Sequence, residues 1–90
     1  MSSAYEQAQA LGLIVMLLGA ETDFVRVNKE SSVVSNDLWK ITGYKIVKNQ
    51  TFSVSEMVTG LQLSEIREPL VIAEAMVEKL YRTNSLTRKR

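Results

Sequence analysis

The sequence predicts a mainly α fold, either α-rich throughout or α+β with a small central hairpin, with a pair of helices forming its C-terminal half. Three observations carry this expectation. Residues 10–20 (ALGLIVMLLGA) form one apolar run, Ser53-Val54-Ser55-Glu56 reads as a helix start, and residues 65–82 carry apolar side chains at helical spacing. At 90 residues the chain has the length of one domain, residues 1–90, with a polar, basic tail over 83–90 expected to be flexible.

The first helix is expected to begin after Ser3, which forms a capping box with Glu6, and to run to Leu18 or Gly19. From Ala10 onward it is apolar on all sides, so it needs cover from every direction. Two arrangements supply that cover: a central core position, or pairing of one side with a second copy, for which Ala8 and Gly12 permit close approach. Glu21–Asp23 reads as a turn, Phe24-Val25-Arg26-Val27 as a short β-prone run, and Asn28–Asn36 as a loop or short strand. Residues 38–47 stay open between a hairpin turning at Thr42-Gly43, with Trp39 facing Ile46 and Ile41 facing Tyr44, and a helix.

Ser53 and Glu56 form a second capping box, with Phe52 and Met57 placed as a hydrophobic staple, so a short helix is expected from Val54 to about Leu61. Ser64 offers another cap. Ile66, Leu70, Ala73, Val77 and Leu80 form the stripe of a longer helix, best started at Pro69 after a turn over residues 64–68, because an interior proline loses a hydrogen bond and clashes with the preceding turn. Tyr5 and Tyr81 are expected to meet in the core, and Met57 and Met76 to fill gaps between the last two helices.

Composition narrows the function classes. The chain contains neither cysteine nor histidine, which removes disulfides, thiolate nucleophiles, Cys/His zinc sites and histidine-based triads. No nucleophile–base pair can be named, so no catalytic role and no cofactor are expected. The pairs Glu65/Glu68 and Glu74/Glu78 read as a solvated acidic face rather than a metal site. The apolar run is eleven residues long, short of the roughly 20 that span a bilayer, and no basic residue precedes it. A cytoplasmic location is therefore expected, with no membrane contact.

The net charge of +1 conceals segregation. Residues 24–51 carry five basic and two acidic groups, residues 52–81 carry five acidic and two basic groups, and residues 82–90 carry four basic groups and no acidic one. Trp39, Tyr44 and Phe52 interleave with Lys40, Lys45 and Lys48, a pattern that serves either core packing with solvated lysines or the stacking of single-stranded bases.

The segment FSVSEMVTGLQLS, the longer helical stretch after it and the ending MVEKLYRTNSLTRKR together resemble the helix-turn-helix core of small bacterial winged-helix transcription regulators. The resemblance covers about a third of the chain, and Gln62, Glu68 and Pro69 depart from the motif's usual glycine, apolar packing residue and uninterrupted second helix. It implies DNA binding by a homodimer built on the first and last helices, with Arg67 and Arg82 in the motif, the tail residues Arg88, Lys89 and Arg90 along phosphates, and Lys45 and Lys48 flanking. The alternative from another class is a protein-binding adaptor or inhibitor without a nucleic-acid role, using the acidic face at Glu65 and Glu68.

Overall fold

The computed structural model describes residues 4–30 and 38–86. The order is α1 (Ala4–Gly19), β1 (Phe24–Glu30), β2 (Leu38–Val47), β3 (Gln50–Thr59), α2 (Gly60–Leu63) and α3 (Glu68–Thr83). The fold is α+β, not mainly α. The three strands form one antiparallel meander in the order β1-β2-β3, and α1 and α3 lie together across one of its faces. The shortest dimension of the molecule is 17 Å, enough for one sheet layer and one helix layer.

α1 and the turn after it follow the expected bounds. Thr22 Oγ1 donates to the Leu18 carbonyl at 2.8 Å and satisfies one of the free acceptors at the helix end. The Ser3 cap lies outside the described residues. α1 buries Leu11, Ile14 and Leu18, whereas Leu13 and Met16 face out. β1 alternates over residues 24–28, with Val25 and Val27 turned toward the core and Phe24 and Arg26 turned away.

The open choice over residues 38–47 resolves as neither alternative. β2 runs straight through Thr42-Gly43, and the hairpin turn falls at Lys48-Asn49, both with positive φ (50° and 66°). That is the backbone a two-residue turn needs to match strand twist. Trp39 therefore lies opposite Lys29 and Val58, not Ile46. Gly43 has a packing reason instead of a turning one: a Cβ there would lie 3.0 Å from Leu18 Cδ2. The missing side chain lets the helix settle against the central strand.

The helix expected from Val54 is the second half of β3. The working capping box comes six residues later, where Thr59 Oγ1 accepts from the Gln62 backbone N–H at 3.2 Å and Gln62 Oε1 accepts from the Thr59 N–H at 2.9 Å. It starts the single turn of α2. Ser64 closes that turn rather than opening the next helix, its hydroxyl donating to the Leu61 carbonyl at 2.6 Å. Pro69 sits in the first turn of α3, where its missing N–H costs nothing. The C-terminal half is thus strand, single turn and helix, not a pair of helices.

α3 buries Pro69, Ile72, Ala73, Met76, Val77, Leu80 and Tyr81. The expected stripe is rotated: Ile66 and Leu70 are exposed. Tyr5 is 71% exposed and does not reach the buried Tyr81, and Met57 lies on the sheet rather than between helices. In the tail, Leu86 packs against the core, and residues 87–90 lie outside the described segment.

The two glycines facing opposite circumstances give a direct test. At Gly12 an added Cβ meets nothing within 4 Å, so Gly12→Ala is expected to raise stability by about 0.5–1 kcal/mol through helix propensity. Gly43→Ala forces Leu18 to shift and is expected to lower stability by about 1–3 kcal/mol. Urea titrations followed by circular dichroism measure both.

Candidate functional site

The helix layer covers one face of the sheet, and no described element covers the other. Register places Phe24, Arg26, Asn28 and Glu30 of β1 on the bare face, beside Lys40, Thr42, Tyr44 and Ile46 of β2 and Ser53, Ser55 and Met57 of β3. Its middle is hydroxyl-rich: Thr42 Oγ1 and Ser55 Oγ lie 3.0 Å apart, opposite one another across the β2–β3 pair. At one end the rings of Phe24 and Tyr44 stack with centroids 4.5 Å apart and planes within 19°. Phe24 remains half-exposed, and Ile46 beside it is equally open.

Two cations stand on this face. Arg26 lies opposite Thr42, and Lys40 is two residues from Thr42 on the same side of the same strand. Diagonal neighbours of this kind stand about 7–8 Å apart. Both side chains are exposed, and neither has an ion-pair or hydrogen-bond partner among the described residues. The one carboxylate on the described part of this face is Glu30, at the far end of β1.

Charge separates between the layers. Over residues 24–30 and 38–59 the meander carries five basic groups and two acidic ones, whereas the other described residues carry seven acidic and three basic. The basic layer is also the layer with an uncovered face.

The residues anticipated for nucleic-acid contact do not form one site. Lys45 points inward: its Nζ lies 5.7 Å from the centroid of the Tyr81 ring and donates to the Glu21 carbonyl at 3.4 Å, while Tyr81 Oη donates to Glu21 Oε1 at 3.4 Å. This lysine ties the end of α1 to β2 and α3. Lys48 is exposed at the hairpin tip, three residues from Lys45 and at the same end of the molecule as Arg82, which follows Tyr81 on α3. Arg67 is exposed at the other end of α3, about 22 Å away at helical rise. Arg88, Lys89 and Arg90 lie outside the described residues. Glu65 and Glu68 stand at the α3 N-terminus, Glu65 exposed and Glu68 partly so.

Arg26 and Phe24 were not anticipated. Their signal is the alternation Phe24-Val25-Arg26-Val27, which turns both side chains to the face opposite the two valines.

On the helix side, a shallow groove of about 210 Å³ runs between Leu17 of α1, Ala20 just after it, and Leu70, Ala73 and Val77 of α3, with Glu21 and Glu74 among its walls. Under the sheet, Lys29 Nζ lies 5.3 Å from the centroid of the Trp39 ring. The indole N–H is buried without a hydrogen-bond partner among the described residues. Among the described residues no acidic cluster is arranged to hold a metal ion, and no helix is long and apolar enough to cross a membrane.

Neither a family model, a curated protein nor a solved structure matches the chain.

The placement of Lys45 gives it a packing role. Lys45→Met removes the ammonium and keeps the stem, and is expected to lower stability by about 0.5–1 kcal/mol, as read by denaturant titration.

Proposed function

We propose that the chain is a small cytoplasmic regulator that binds nucleic acid through the uncovered face of its sheet. The observation that carries this reading is the segregation of charge, with Arg26 and Lys40 unpaired on the open face of the basic layer. Like charges at neighbouring positions of a sheet oppose folding, and a polyanion laid over both relieves that repulsion and releases counterions. Lys48 and Arg82 extend the positive surface around the hairpin end.

The regulator acts as a homodimer through α1 and α3. No charged residue lies between Glu6 and Glu21, so two α1 surfaces meet without repulsion, and Leu13, Met16, Leu70 and Val71 are already exposed there. The double change Leu13→Glu and Met16→Glu is expected to give a folded monomer, with sedimentation velocity reporting the loss of dimer.

Charge reversal tests the nucleic-acid reading. With fluorescein-labelled oligonucleotides at about 50 mM salt, Arg26→Glu with Lys40→Glu is expected to weaken binding at least 30-fold and to flatten the salt dependence by close to two phosphate contacts. An unchanged salt slope sinks the assignment of this face.

A second reading, a protein-binding adaptor, rests on the acidic face at the start of α3, where Glu65 is exposed and Glu68 partly so. Glu65→Lys with Glu68→Lys separates the two. The change adds positive charge and strengthens nucleic-acid binding under the first reading, whereas it abolishes an adaptor's contact at the acidic face.

A further inference from the structure

We infer that the open sheet face takes single-stranded rather than duplex nucleic acid, with one base stacked on the outer face of the Phe24 ring. This inference rests on the nucleic-acid reading above and names its ligand class. The face is built of strands that mix short polar side chains with Arg26, Lys40 and the larger apolar Phe24, Tyr44, Ile46 and Met57, and among the described residues no helix projects from it to enter a major groove. Its aromatic feature is a pair of stacked rings, Phe24 and Tyr44, with centroids 4.5 Å apart and planes within 19°, beside the exposed Ile46.

Phe24 stands on an edge strand, with Tyr44 against one side of its ring and half of its surface open. A base added there lengthens a two-ring stack to three. A base inside a duplex already has both faces stacked on its neighbours, so only an unpaired strand offers a free face without unstacking. Arg26 follows two residues along the same face of β1, and Lys40 lies beyond it across the β1–β2 pair. The ring and the two cations therefore follow one another along β1 and then across to β2, an order in which a backbone can carry its phosphates away from a stacked base. Asn28 and the partly exposed Ser55 line the path and offer hydrogen bonds, with Ser55 braced by the buried Thr42 hydroxyl.

The test titrates the intact protein into a labelled twelve-nucleotide oligothymidylate, an oligouridylate of the same length and a twelve-base-pair duplex of equal charge density per strand, at one salt concentration. The expected result is binding of the single strands at least ten-fold tighter than the duplex. Phe24→Leu keeps apolar bulk against Tyr44 but removes the π-face, and is expected to weaken single-strand binding roughly ten-fold, the loss typical of one stacked base. Phe24→Trp is expected to hold or tighten it. Circular dichroism confirms that both variants fold. Equal affinity for duplex and single strand, with Phe24→Leu inert, overturns this inference and leaves the general reading standing. No binding of any probe, with the charge-reversed protein indistinguishable from the parent, overturns both.

Discussion

The approach of Leu18 to Gly43 is the contact on which the rest of the molecule depends. Leu18 is fully buried at the last turn of α1, and Gly43 is buried in the middle of the central strand. A side chain at Gly43 would meet the leucine branch at 3.0–3.3 Å, so the helix can lie at this height over the sheet because that position has no Cβ. Once α1 is seated, Ile14 and Ile41 become fully buried, and α3 closes the layer with Met76, Val77 and Leu80. The knot around Glu21, where Lys45 and Tyr81 converge, then holds the end of α1 against a strand and a helix more than twenty residues away in sequence. A leucine–glycine contact of this kind adds modest free energy by itself. Its importance is geometric, because it fixes which face of the sheet is covered and so which is left open.

Helical elements were legible where one period alone explained the residues. The apolar run of α1 and the proline start of α3 gave the right bounds because neither suits a strand. The segment at 54–61 was misread for a specific reason. Val54 and Val58 are four residues apart, a spacing that returns to the same side in both a helix and a strand. In the structure both valines point into the core from β3. The serine–glutamate pair at 53 and 56 imitates a capping box, while the box that operates uses Thr59 and Gln62. Hairpin and helix at 38–47 both failed because Gly43 was weighed as a turn residue or a helix cost, when its role is set by a leucine twenty-five residues earlier.

The site was less legible than the fold, and strand alternation explains why. Lys40 and Lys45 look equivalent in sequence, yet an odd separation along one strand sends the first to the open face and the second beneath the helices. Without the strand assignment no such distinction could be drawn. Arg26 went unremarked as a lone basic residue in a short apolar stretch, although its neighbours Val25 and Val27 already imply that it faces away from the core. The basic residues that drew attention, Lys48, Arg67 and Arg82, are surface residues at helix ends and a hairpin tip, and α3 holds Arg67 far from the other two.

The two faces of the molecule follow different chemical rules. The helix layer exposes Leu13, Met16, Leu70 and Val71, side chains that gain free energy only by meeting another apolar surface. The open sheet face mixes hydroxyls, an amide, two cations, one carboxylate and one ring stack with the apolar Ile46 and Met57, so desolvating its polar groups must be offset by hydrogen bonds and charge pairing. The edges reinforce this division. Lys29 on β1 and Glu56 on β3 are exposed charges in register with the core-facing side, and charges on edge strands discourage further strand pairing. Growth of the sheet at its margins is thereby opposed while its open face stays accessible. Under the proposed reading, a ligand for that face presents negative charge near Arg26 and Lys40 and a flat apolar group near Phe24, two requirements that a single-stranded nucleic acid meets together.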